Sequence, residues 1–217
     1  SDNIQRKQES LKEGPEEFED DERGIFDIYD DFQKTTGTLI QSLERITKYT
    51  KDMGEKMTQV HSPKIETMLA RLGTLRASGY TVDTKEIISK SKEAINNFAS
   101  DLEQYANKMD PEVRNFRPNV LEFLNFYRDN KVNLEQQEEI GSEKDQILES
   151  IDTMIDSMEG TKTSMSSFQE ELVKIPPLTT KLRKARTKCA NIIGQFVAEL
   201  AFAIDHAKAI YQEYENL

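Results

Sequence analysis

Apolar residues spaced alternately four and three positions apart constrain this chain more than any other feature. From Ile25 the rhythm lands on Tyr29, Phe32, Thr36, Leu39, Leu43, Ile46, Thr50, Met53, Met57 and Val60, with two threonines as the only polar occupants. A 3.5-residue repeat keeps one face of an α-helix turned toward a partner, and about five consecutive heptads exceed chance alternation. Pro15 suits the first helical position, and Glu16, Glu17 and Glu19 suit the positive end of a helix dipole. A helix over residues 16–60 is predicted.

Three more long tracts follow the same rule. Residues 84–130 carry Ile88, Ser91, Ile95, Phe98, Leu102, Tyr105 and Met109, then Val120, Leu121, Leu124 and Tyr127. Asp110 and Pro111 read as an N-cap and first-turn pair, and with Pro118 they predict a kink near 110–118. Residues 133–175 hold phase from Ile140 to Ile175, with Lys144 and Thr161 at stripe positions, and Pro176–Pro177 end the tract. Residues 178–216 run from Leu178 through Leu182, Ala185, Cys189, Ile192, Phe196, Leu200, Ile204, Ala207, Tyr211 and Tyr214. A shorter stripe over 63–78 is read as an extra helix or a kinked continuation of the first. Single polar residues in such seams commonly fix register, the role expected of Thr36, Thr50, Lys144 and Thr161.

The fold class expected is all-α: an elongated antiparallel bundle of four long, coiled-coil-like helices plus one short one. Each long helix would span about 60–70 Å at 1.5 Å per residue. Residues 1–15 read as an acidic N-terminal segment and 16–217 as one helical-bundle domain. The opening Ser1, in place of Met, suggests a module of a larger protein.

Charge narrows the partners. The 217 residues carry a formal net charge of −11, with 32% charged and 36% hydrophobic residues. Such a balance disfavours generic nucleic-acid binding, which needs a positive field. Five cations nevertheless crowd eight positions: Lys181, Arg183, Lys184, Arg186 and Lys188. They fall in the first turns of a helix, where the dipole is already positive, so an acidic complement is expected nearby. Glu170 and Glu171 are candidates. So is the acidic segment Glu16, Glu17, Glu19, Asp20, Asp21 and Glu22, part of a stretch (1–31) with twelve acidic and four basic residues. The competing reading makes the basic patch a site for an anionic ligand or partner.

Aromatics concentrate beside the prolines. Phe116 and Phe123 are expected alongside the core and Phe126 on the outer face, about 200° from Leu124. An exposed aromatic there would cover the short helix or form a partner interface.

Catalysis finds little to stand on. His61 and His206 are the only histidines, and neither has metal-ligand spacing with Cys189 or the other. There is no glycine-rich phosphate loop and no nucleophile elbow, and "FEDDERGIFDIYDD" lacks the spacing of a calcium loop. Cys189 lies on a stripe and reads as a buried, inert thiol. It fits a reduced compartment such as the cytosol. No enzyme activity, cofactor or metal is expected.

The apolar stretch Ala190–Ile204 is interrupted by Asn191, Gln195 and Glu199 and is too short to span a bilayer. Burial within the bundle explains it. Long helical bundles of this kind resemble helical pore-forming toxins and helical sensor domains in architecture, which would imply membrane insertion or ligand sensing. The toxins' uninterrupted apolar hairpin is missing here. The expected function is therefore a non-enzymatic interaction, spacer or oligomerisation module. Its expected partner is a protein or a second copy, not nucleic acid, and membrane contact is the less favoured route.

Overall fold

A computed structural model describes residues 17–77, 84–136 and 138–216, with side chains at 27–75, 77, 84–136 and 144–216. The fold is an all-α bundle. Its elements are α1 (Glu17–Lys56), a π-helical turn (Met57–His61), α2 (Ser62–Ala77), α3 (Thr84–Glu135), α4 (Glu138–Val173) and α5 (Thr180–Glu215). No strand occurs among the described residues. The chain divides into two compact units. The first comprises residues 1–45, 112–155 and 205–217, the second 46–111 and 156–204.

In the first unit Phe32, Phe123 and Tyr214 form an aromatic cluster. The ring centroids of Phe123 and Tyr214 lie 5.6 Å apart and nearly parallel, and Phe32 sits 5.9 Å and 5.6 Å from the two. The Tyr214 hydroxyl donates a hydrogen bond to Thr36 Oγ1, so the threonine on the α1 stripe is satisfied by α5. Arg45 Nε donates to Glu112 Oε2 at 2.9 Å. Since Phe32 meets Phe123 while Arg45 meets Glu112, α1 and α3 run antiparallel. Phe116 faces His206 and Phe123 faces Tyr214, so α3 and α5 run parallel, as second neighbours in an up-and-down order must.

In the second unit Thr50 lies near Met109, and His61, in the π turn, meets Asp101, so α1 and α3 are antiparallel there. Thr50 Oγ1 bonds the Ile46 carbonyl at 2.8 Å, the usual way a buried helical threonine is satisfied, and also approaches Met109. Gln169 on α4 donates to the Ala190 carbonyl on α5 at 3.1 Å, and Arg186 reaches Ile175, so these helices are antiparallel too. Ile193, Phe196, Leu200 and Ala203 are fully buried, so the apolar face of residues 190–204 belongs to the core of this unit while Asn191 and Gln195 are exposed. Cys189 is buried as well.

Several expectations are corrected. The short helix is a continuation: residues 17–77 are helical without a break, the π turn joining α1 to α2. The stripe leaves Val60, which is 40% exposed, and passes through His61 at 3%. The buried positions 53, 57, 61 and 65 are three successive four-residue steps. An α-helix overshoots such steps by 40° each, and the wider π turn absorbs the drift.

Asp110 and Pro111 do not begin a helix, because α3 is continuous through both Pro111 and Pro118. The prolines are one heptad apart and both exposed. Each proline withholds one amide from the helix, and both do so on the exposed side of α3.

Leu121 is 51% exposed, although it falls near the stripe. Phe126, predicted to lie outside, is 4% exposed, and Phe116 and Phe123 are fully buried. The buried arc of α3 centres on Phe123, not on the half-buried Leu124. Phe126 lies only 60° from that centre. All three phenylalanines therefore build the core, and none forms an aromatic interface.

Candidate functional site

The predicted basic residues sit on the first turns of α5, whose start is fixed locally. Pro176 and Pro177 cannot continue α4, and Thr179 Oγ1 accepts the Leu182 amide at 3.1 Å as an N-cap. Arg186 then closes the corner: its Nη1 donates to the Ile175 carbonyl at 2.7 Å, satisfying an acceptor beyond the end of α4. This removes Arg186 from the predicted patch and gives it a structural task.

Lys181, Arg183, Lys184 and Lys188 are exposed. None of the four has an ion-pair partner among the described residues. The neighbouring acids expected to balance them do not do so here. Glu171 instead binds Lys174 within its own helix end at 2.8 Å, which also holds the Lys174 ammonium above its ordinary range. The acidic segment Glu16, Glu17, Glu19, Asp20, Asp21 and Glu22 has its side chains outside the described residues.

Three of the cations line a groove of about 640 Å³ on the second unit. Arg183, Lys184 and Lys188 share it with Thr187, Asn191 and Gln195, and Glu103 of α3 is its single acidic lining residue. Stacking cations one turn apart is unfavourable by roughly 0.2–0.5 kcal/mol per pair in an isolated helix, and the dipole adds to this. An anion in the groove would relieve both terms, and the amides and hydroxyl offer it hydrogen bonds.

A second constellation escaped the sequence reading. His61 Nε2 and Asp101 Oδ2 lie 2.6 Å apart, and the His61 ring meets Phe98 edge-on at 5.2 Å. Lys56 Nζ stands 3.9 Å from the other carboxylate oxygen, and Lys56 and Lys108 both lie over the Tyr105 ring. His61 is buried between Phe98 and the Asp101 carboxyl, so the cluster anchors the π turn to α3. No thiol and no serine or threonine hydroxyl stands among these contacts. The available signal was the run of four-residue steps, which reaches His61 and not Val60.

Among the described residues no three His, Cys, Asp or Glu side chains converge as metal ligands, and no helix is long and apolar enough to cross a membrane. Burial pushes the Cys189 thiol up to about 12, so it is protonated at neutral pH. No family model, curated protein or solved structure matches the chain.

Proposed function

We propose that this chain is a non-catalytic interaction module whose working surface is the basic groove on α5, and that it takes an acidic segment of a protein partner. The observation that carries this reading is the set of exposed cations, Arg183, Lys184 and Lys188, gathered on one groove without acidic partners among the described residues. In a chain of net charge −11 this groove is a local positive field against the overall sign, which steers an acidic partner to it rather than to the rest of the surface. The polar lining of Thr187, Asn191 and Gln195 suits peptide backbone and carboxylates better than an apolar anchor.

Fluorescence anisotropy with a labelled glutamate-rich peptide tests this. Saturable binding is expected at low ionic strength, weakening as salt screens the groove. The Arg183→Glu, Lys184→Glu, Lys188→Glu triple variant should abolish it while keeping its helical circular dichroism. Equal binding by that variant would sink the proposal. Phosphatidylserine vesicles form a second arm, and preference for vesicles over peptide would favour the membrane reading instead.

A further inference from the structure

A second groove, of about 380 Å³, lies between α2 and the first turns of α3, and its chemistry differs from that of the basic groove. Its base is apolar: Met68 is buried, and Ile87 and Ala94 are half-buried. The buried Ser91 hydroxyl also lines it, but that group donates its proton to the Ile87 carbonyl at 2.7 Å. It therefore has no hydrogen to give to a ligand. Cations occupy the rim. Lys64 and Arg71 are aligned one heptad apart on α2, about 10 Å along the helix, and neither has an ion-pair partner among the described residues. Lys90, on the α3 side, is held by Glu86 at 2.8 Å, and Glu93 is the acidic residue in the lining.

We propose that this groove binds a small amphipathic carboxylate, its alkyl or aryl body lying on Met68, Ile87 and Ala94 and its charged end at Lys64 or Arg71. The volume falls at the lower end of the range for small-ligand sites, and an apolar floor with few polar groups at the edge is the usual composition of such sites. Charge complementarity favours an anionic head group, since the lining carries three cations, Lys64, Arg71 and Lys90, against the single acid Glu93, and Lys64 and Arg71 are without ion-pair partners among the described residues. The groove between α1 and α4 offers no such choice, being lined by polar residues of both signs, Lys51, Glu55 and Asp156 among them.

The test uses the whole chain and the dye 1-anilinonaphthalene-8-sulfonate as the probe, displaced in turn by octanoate, butyrate and 1-octanol. Saturable dye fluorescence is expected, with octanoate displacing it at least tenfold better than butyrate, which lacks the body, or octanol, which lacks the charge. Ala94→Phe fills the groove and should weaken dye and octanoate binding at least tenfold. The Lys64→Glu, Arg71→Glu double variant should bring octanoate down to the level of octanol and leave octanol unchanged. Both variants alter exposed or half-buried positions, and an unchanged melting temperature shows that they remain folded. Absence of saturable binding, equal displacement by octanol and octanoate, or full binding by Ala94→Phe would each overturn the proposal. The basic-groove triple variant serves as the control: it should bind octanoate normally, and a loss there would assign the ligand to the α5 groove instead.

Discussion

At the scale of single residues, two neighbours in the π turn have opposite fates. His61 is buried against Phe98 and bound to Asp101, whereas Val60 is partly in solvent. His61→Ala would leave a cavity and a carboxylate short of a partner, a loss of about 2–3 kcal/mol. Val60→Ala should stay within about 0.5 kcal/mol. Urea unfolding of the two variants checks the register directly, and the reverse order would mean that the stripe passes through Val60. Cys189 supplies a pH dependence. Burial raises its thiol from an ordinary 9.0 to about 12, so above pH 9 the unfolded chain releases a proton that the folded chain retains. Its contribution is fully present below pH 9 and falls between pH 9 and about 12, by at most about 1.4 kcal/mol per pH unit. The stability difference between the native chain and Cys189→Ala should therefore be flat at neutral pH and change in that window. A difference that stays flat to pH 11 would mean an accessible thiol.

At the scale of elements, the π turn behaves as one residue inserted into an otherwise regular stripe. Removing the exposed Gln59 would turn the steps from Met57 through His61 to Ile65 into three and four, the phase an α-helix holds without help. The Gln59 deletion should keep a cooperative melt and full helical circular dichroism. Deleting the equally exposed Lys48 has no such absorber, and it rotates every later stripe residue of α1 by 100°. That variant is expected to lose the cooperative transition. Similar melts for the two deletions would show that the turn is not a register device. Proline acts at this scale as well: on the exposed side of α3 each one withholds a single amide and the helix continues, whereas the Pro176–Pro177 pair removes two donors in succession and ends α4.

At the scale of the whole molecule, each long helix buries described stripe residues within one chain. Leu39, Phe98, Met158 and Phe196, from four different helices, are each at 1% exposure or less without a second copy. Light scattering at high salt should accordingly return a mass near 25.0 kDa, independent of loading. A stable doubled mass would mean that stripes also pair between chains, and assembly would then displace peptide capture as the leading function. The basic groove is set against a molecule of net charge −11, so any association it mediates should fade as salt rises.

Helix existence and approximate extent were legible in the sequence because apolar period is a local property: a five-heptad stripe such as Ile25–Val60 has one economical conformation. The buried reading of Cys189 and of the apolar face of residues 190–204, and the stop at Pro176, follow from equally local facts. Tertiary structure decided which part of each face is buried. A period fixes phase only to within about one residue step of 100°, and a helix with several neighbours buries a wider arc than a two-helix seam. Phe126 is therefore inside, Leu121 outside, and His61 stands where Val60 was expected. Partners far apart in sequence were equally out of reach. The bonds of Arg186 to Ile175, His61 to Asp101 and Tyr214 to Thr36 depend on how helices are set beside one another, a distance relation that no single stripe encodes. The cations of α5 could be counted from the sequence. That three of them line one groove opposite Glu103 was settled only when α3 and α5 packed together.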